Sequence, residues 1–373
     1  MKKKNILILY AKMGKGHFSA SMATKEALEL LYGDKVNVIM ADFFQLLSKG
    51  VSNTTQKMYD GSVKFIPSFY KAFFELTDSV WTIKFLNAIS YISLQSAMKK
   101  LLKETEPDIL ISTFPIWDYG VAQFWKEQHP DSKFVNIITD SISIHKAWLI
   151  ADSDYRIVPN EDTAKVLMNE GVPSEKIKIL GFPVSLEFIK EIDKKAILKN
   201  LELNPNLYTV LLFATMGDNK RNLKIFNKVI DGKRDYNVIG VMGRNKSLMP
   251  KIEHLKNQKN VAILEWTNNV PDLMKASDLI LTKAGGATIM ECIAAKKPMI
   301  ITHVIPGQEE GNAILIEKHN LGIVLKKGKK GIDEIPSHIS TIRKESQKYS
   351  AALKEQSNPR AALKIAEFIN SLL

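Results

Sequence analysis

The stretch that most constrains the fold is Leu281-Thr-Lys-Ala-Gly-Gly-Ala-Thr-Ile-Met-Glu-Cys-Ile-Ala-Ala-Lys-Lys-Pro298. Ahead of it, Ala276-Ser-Asp-Leu-Ile-Leu281 ends in an apolar run that reads as a buried parallel strand. Two glycines follow, then an apolar-periodic segment that stops at a proline, the pattern of a short helix. Strand, glycine turn and helix in that order aim free backbone N–H groups, and the positive end of a helix dipole, at an anion. Gly285 and Gly286 put no Cβ in the path of a bulky phosphate. The turn reads as a diphosphate site, with Ala287 and Thr288 supplying further main-chain donors and Lys283 a nearby charge.

Past Pro298 the pattern repeats. Met299-Ile-Ile-Thr-His303 is another strand, and Pro306-Gly-Gln-Glu-Glu-Gly-Asn-Ala313 is a polar loop opening the next helix. Its Gln308 and Glu309 suit the hydroxyls of a sugar carried on the diphosphate. Taken singly, each loop is better read as an ordinary βα turn, since glycine pairs after strands are common. Two loops at adjoining strand ends, one fit for phosphate and one for sugar hydroxyls, favour binding. The residues T-K-A-G-G-A-T…E…P-M-I…P-G-Q-E…N-A resemble the donor-binding half of inverting glycosyltransferases with the GT-B architecture. The resemblance is nearest to the bacterial diacylglycerol glucosyltransferases and plastid monogalactosyldiacylglycerol synthases. It extends more distantly to the peptidoglycan lipid-intermediate N-acetylglucosaminyltransferases.

The resemblance implies an α/β chain of two Rossmann-like doubly wound domains facing across a cleft, with a UDP-sugar held by the second. A length of 373 residues suits two domains. The division expected is an acceptor and membrane-binding domain at 1–182, a UDP-sugar domain at 183–358, and a final helix at 359–373 that packs back on the first domain. Gly181-Phe-Pro183 reads as the hinge. By resemblance the backbone around Trp266 and Thr267 reads the uracil edge, and Glu291 holds the ribose hydroxyls. Thr215, Gly217, Gly243 and Arg244 complete the donor set as glycine-turn residues after the first two strands of that half. Lys220 and Arg221 lie near enough in sequence for either to touch phosphate.

In the first half, Asn5-Ile-Leu-Ile-Leu-Tyr-Ala11 leads through Lys12-Met-Gly-Lys-Gly-His17 to a helix from about Ser19 to Leu31. That G-x-G is too short for a dinucleotide fingerprint, and no P-loop is present. His17 stands at the mouth of the sheet, and imidazole titrates near neutral pH. It is therefore placed either to take a proton from an acceptor hydroxyl or merely to cap the helix. The resemblance makes it the base and groups Gly16 with the donor loop. Pro107-Asp-Ile-Leu-Ile-Ser-Thr-Phe-Pro115 and Phe134-Val-Asn-Ile-Ile-Thr-Asp140 are further strands whose ends carry Thr113, Pro115 and Asp140. T-D…H-x-x-W, ending in His145 and Trp148, resembles a signature of the glycolipid synthases, though the residues just after Asp140 depart from it. Asp140 either orients His17, holds the acceptor hydroxyl or caps its loop.

Between these strands, Phe65, Phe69 and Phe73 fall at helical spacing, with Tyr70 beside them and lysines nearby. The segment reads either as an amphipathic patch on an anionic membrane or as a helix packed on its own domain. By resemblance this region, with His145 and Trp148, engages the lipid acceptor.

Composition narrows the classes. No apolar run approaches the ~20 residues that span a bilayer, and no leader pattern follows Met1, so a cytoplasmic protein peripheral on the inner face of the cell membrane is expected. The net charge of +12 fits nucleic acid, an anionic membrane or a negatively charged substrate. No stripe of aromatics alternating with basic residues appears, so no nucleic-acid partner is expected. The lone Cys292 excludes an internal disulfide and a cysteine metal cluster. Asp152-Ser-Asp154 is the D-x-D of metal-dependent transferases, but it precedes the strand Tyr155-Arg-Ile-Val158 and so sits at the wrong end for a site. No metal or other cofactor is expected. The reading is hexose transfer, with glucose the expected sugar, from a UDP-sugar to diacylglycerol or glycosyl-diacylglycerol. The alternatives are N-acetylglucosamine transfer to a polyprenyl-diphosphate intermediate, a sugar epimerase, or a non-catalytic UDP-sugar-binding protein.

Overall fold

A computed structural model of the chain describes residues 2–12, 16–47, 79–214, 218–230, 234–243, 245, 247–307 and 309–373. The readings placed on Phe65, Phe69, Tyr70, Phe73, Thr215, Gly217, Arg244 and Gln308 lie outside the described residues. The chain forms two compact units. The first comprises Met1–Leu186, Pro306–Gly311 and Pro359–Leu373; the second comprises Glu187–Ile305 and Asn312–Asn358.

The first unit is built on a parallel sheet of β1 (Lys4–Tyr10), β2 (Val36–Asp42), β3 (Ile109–Ser112), β4 (Phe134–Ile137), β5 (Tyr155–Val158) and β6 (Ile177–Ile179). Their order across the sheet is β2-β1-β3-β4-β5-β6. Ile6, Leu7, Ile8 and Leu9 are all buried, as an interior strand covered on both faces requires. Edge strand β2 shows instead a partial alternation of buried and exposed residues. The strand order reverses between β1 and β3, and ligands of such sheets bind at the carboxyl ends beside that reversal.

The helix Gly16–Tyr32 begins three residues earlier than the sequence periodicity suggests, so His17 lies in its first turn rather than on a preceding glycine turn. The final helix Ala361–Asn370 packs against it within this unit. Alanines are buried on both helices, Ala20, Ala23 and Ala27 on one and Ala361, Ala362 and Ala366 on the other, so the backbones can approach closely.

The second unit repeats the plan with β7 (Tyr208–Phe213), β8 (Tyr236–Val241), β9 (Val261–Leu264), β10 (Leu279–Lys283), β11 (Met299–His303) and β12 (Gly322–Val324). The order is β12-β11-β10-β7-β8-β9, again all parallel, with the reversal between β7 and β10. Leu279, Ile280 and Leu281 are completely buried, and the helix Gly286–Ala294 follows them. The stretch from which the fold was argued is therefore the strand at the switch point and its helix. The polar loop Pro306–Gly311 groups with the first unit although the strand before it belongs to the second.

Among the described residues no helix is long and apolar enough to cross a membrane.

Candidate active site

At the reversal of the first sheet, the loops after β1 and β3 are joined by the His17 ring. Its Nδ1 lies 2.6 Å from the Thr113 carbonyl oxygen, an acceptor only, so Nδ1 carries the proton. The Thr139 hydroxyl oxygen sits 3.0 Å from the same nitrogen. Thr113 returns the contact, its hydroxyl donating to the His17 main-chain oxygen at 3.2 Å. Ser21 in turn approaches the Thr113 hydroxyl at 2.9 Å. The Phe114 ring meets the imidazole edge to face with centroids 5.1 Å apart. With Nδ1–H committed, a neutral imidazole carries its lone pair on Nε2. Burial lowers the His17 pKa from the ordinary 6.5, while the Asp140 carboxylate and the Thr113 carbonyl act in the opposite direction. The net result is a ring that is neutral, and basic at Nε2, at neutral pH.

Asp140 follows β4. One of its oxygens accepts from the Trp148 indole Nε1 at 2.8 Å. Trp148 is completely buried, which overturns the expectation that it faces lipid. His145 is buried too, and its Nδ1 accepts the Ala147 N–H at 3.2 Å, serving the start of the short helix Ala147–Ile150. Both aromatic rings of the H-x-x-W motif are thus interior supports. The motif gave their spacing, and packing decided that they turn inward. Pro115 is buried in the loop after β3, where its carbonyl accepts the Asp118 N–H that opens the helix Asp118–Gln128.

The two acids of Asp152-Ser-Asp154 are structural. Asp152 is paired with Lys126 and Lys176, and hydrogen bonding to Lys126 is the main cause holding its pKa below the usual range. Asp154 accepts the Phe134 N–H at 2.8 Å and so ties the loop before β5 to β4. Among the described residues no cluster of three or more metal-ligating side chains occurs.

In the second unit the turn after β10 has the geometry of an anion site. Gly285 is the helix N-cap at φ −71°, ψ 128°, and no side chain caps it. The N–H groups of Gly286, Ala287 and Thr288 have no acceptor within the helix, because a first turn never provides one. All four residues are half-buried. The turn is held from behind by interlocking strand ends. The Ala284 N–H donates to the His303 oxygen at 2.8 Å, and Asn312 Nδ2 donates to the Ala284 oxygen at 2.9 Å. Arg221 is used here as well: its Nη2 donates to the Thr302 oxygen at 2.6 Å, so it fixes β11 instead of lying free for phosphate. Lys220 is exposed.

Gly243 lies after β8 at φ 59°, a left-handed conformation, and its N–H reaches the Glu265 oxygen at 2.6 Å. Trp266, after β9, is 48% exposed with Nε1 on Asn268 Oδ1, and the Thr267 hydroxyl accepts the Asn269 N–H. Gly243, Trp266 and Thr267 thus share the carboxyl edge of the sheet with Lys283 and the Gly285 turn. Glu291 is half-buried in the helix Gly286–Ala294. Glu309 is only 3% exposed and falls in the segment that groups with the first unit.

Thr139, Ser21, Phe114 and Asn312 were not singled out in the sequence as site residues. Thr139 had a signal, standing between a buried strand and Asp140; a serine on a helix face, such as Ser21, has none.

Two doubly wound sheets, one with an uncapped glycine turn at its switch point and the other with a polarised imidazole, give the two-unit α/β fold of the GT-B class. Residues 17–184 match the family described as monogalactosyldiacylglycerol (MGDG) synthase, and residues 217–369 match the glycosyltransferase family 28 C-terminal domain. The two matches together span most of the chain, and its relatives are MGDG synthases and diacylglycerol glucosyltransferases. Monogalactosyldiacylglycerol synthase 2, chloroplastic, of Arabidopsis thaliana is 27% identical over 99% of this chain and 81% of its own length. The processive diacylglycerol beta-glucosyltransferase of Bacillus licheniformis is 29% identical over 91% of this chain and 88% of its own.

Among solved structures, Phytolacca americana UGT2 complexed with UDP-2fluoro-glucose and pterostilbene superposes with a TM-score of 0.65 at 13% identity, covering 99% of each chain. The UDP-GlcNAc 2-epimerase from Neisseria meningitidis bound to UDP-GlcNAc gives 0.62 at 14%, covering 98% of this chain and 100% of that one. These two likenesses are of fold. The family matches, not the fold, separate transferase from epimerase.

Proposed function

We propose that the chain transfers a hexose, glucose in the first instance, from a UDP-sugar to diacylglycerol or glycosyl-diacylglycerol at a membrane surface. The relatives named for this chemistry span nearly the whole chain, and the observation that carries the mechanism is the Nδ1–H of His17 on the Thr113 oxygen. His17 Nε2 takes the proton of the acceptor hydroxyl as that oxygen attacks the anomeric carbon. The bond from that carbon to the β-phosphate oxygen breaks, its electron pair leaves with UDP, and configuration inverts. Asp140 stabilises the imidazolium formed. The developing charge on UDP is met by the N–H groups of Gly286, Ala287 and Thr288 and by the helix dipole, with Lys283 nearby. That set of donors makes a divalent cation unnecessary in this reading.

Gly16, Thr215, Gly217, Gly243, Arg244, Trp266, Thr267, Glu291, Gln308 and Glu309 remain the proposed contacts of nucleotide and sugar. Thr113 and Pro115 are buried behind the acceptor side, Thr113 holding the His17 ring there. Phe65, Phe69, Tyr70 and Phe73, with the lysines near them in sequence, are the proposed membrane contact, on anionic lipid at the inner face of the cell membrane.

The test is a matrix of UDP-glucose, UDP-galactose and UDP-N-acetylglucosamine against vesicles containing diacylglycerol, with products identified by mass spectrometry. Glycosyl-diacylglycerol formation in the absence of added metal is the expected result. Nucleotide binding without a glycosyl-diacylglycerol product from any donor would overturn this reading in favour of the polyprenyl-diphosphate, epimerase or sensor alternatives.

A further inference from the structure

Strand β5 carries an arginine in the middle of a parallel sheet, and Arg156 is 4% exposed. Its guanidinium is directed at main-chain oxygens: Nε donates to Trp148 at 3.3 Å, and Nη2 to Leu149 at 3.4 Å and to Ala151. The first two oxygens belong to the helix Ala147–Ile150, and the third belongs to the residue that ends it. A helix of four residues cannot sustain itself in isolation, and its terminal carbonyls need donors from outside. Arg156 supplies them. The helix so held carries Trp148, whose ring is fully buried among Ile138, Val158, Ala164, Leu167 and Val172 and whose Nε1 ends on Asp140. Asp140 is the carboxylate whose field acts on His17.

From this chain of contacts we infer that Trp148 and Arg156 are positioning residues for the His17–Asp140 pair. Arg156 fixes the short helix, the helix fixes the indole, and the indole N–H fixes the Asp140 carboxylate, whose chain neighbour Thr139 places its hydroxyl 3.0 Å from His17 Nδ1. Burial alone would favour any large apolar ring at 148; only the hydrogen bond to Asp140 requires tryptophan there. The inference rests on His17 acting as the base, but it is read on His17 itself.

The experiment compares the full-length protein with Trp148→Phe, Arg156→Lys, Asp140→Asn and the double variant Trp148→Phe/Asp140→Asn. The His17 ring is titrated by NMR on histidine-labelled protein without substrate, its signal assigned by loss in His17→Gln, and kcat and KM are measured in parallel. Trp148→Phe is expected to lower the His17 pKa in the same direction as Asp140→Asn. It should lower kcat about tenfold or more while leaving the KM for the UDP-sugar within about twofold. The double variant should titrate as Asp140→Asn alone, because the two changes remove one effect. Arg156→Lys should shift His17 in the same direction by a smaller amount, and it provides the reading if Trp148→Phe does not fold. A wild-type His17 titration in a folded Trp148→Phe or Arg156→Lys protein, or additive shifts in the double variant, overturns the inference. If His17→Gln keeps wild-type kcat, the base assignment fails while the titration still decides the positioning.

Discussion

His17 Nδ1 and the main-chain oxygen of Thr113 are 2.6 Å apart, and that contact selects the tautomer of the ring. It also joins the loops after β1 and β3, the two strands between which the sheet order reverses. Because the oxygen belongs to the backbone, no side-chain substitution at 113 removes it.

Replacing His17 with alanine should therefore lower kcat by about 10²–10⁴ while leaving UDP affinity unchanged. Steady-state kinetics and calorimetric titration with UDP check this. In the wild-type protein the rate should rise as the ring loses its proton. Since burial lowers the pKa from 6.5, the midpoint of that rise should lie below the pH of a free imidazole.

The donor turn makes a different prediction. Gly285 has φ −71°, which any residue adopts, so Gly285→Val introduces no backbone strain. It should leave the melting temperature nearly unchanged and weaken UDP binding by at least about tenfold, because a Cβ stands where the phosphate approaches the amides. Calorimetry of the variant with UDP measures both quantities.

Asp118 is 1% exposed, and burial raises its pKa to about 7 against the hydrogen bonds from Ser112 and Asn136 and the field of Arg156. An acid whose folded pKa exceeds its unfolded one binds more protons when folded, so it lowers stability as pH rises between the two values. Its contribution should fall by about 1.4 kcal/mol per pH unit from near pH 4 towards pH 7. Denaturant titrations across that range should show this slope, and Asp118→Asn should abolish it.

Asp152 separates a surface ion pair from a metal ligand. Its side chain is 64% exposed between Lys126 and Lys176, so Asp152→Asn should cost no more than about 1 kcal/mol in stability. Transferase activity of the variant should match wild type, and EDTA should not inhibit either protein. Loss of activity in the variant with rescue by Mn²⁺ would refute the metal-free reading.

Much of this was legible in the chain. The apolar runs at Ile6–Leu9 and Leu279–Leu281 read as buried strands because an interior parallel strand has no wet face to encode. The glycine pair at 285 and 286 read as an anion turn because strand, glycine and helix are local in sequence. His145 and Trp148 were placed at the acceptor surface because a motif fixes spacing and not the direction a ring faces. Arg156 carried no signal at all, since its partners are carbonyls of Trp148, Leu149 and Ala151, and carbonyls are the same whatever the residue.

The sequence by itself determined the alternation of strands and helices, the glycine turn and the histidine at the first switch point, all properties of neighbours along the chain. Tertiary structure alone decided that His17 presents Nε2, that Trp148 holds Asp140, and that Arg156 caps the helix between them. Those outcomes depend on residues as far apart as 17, 113 and 139, brought together by the order of strands in the sheet, and hydrogen-bond geometry is settled only when that order is fixed.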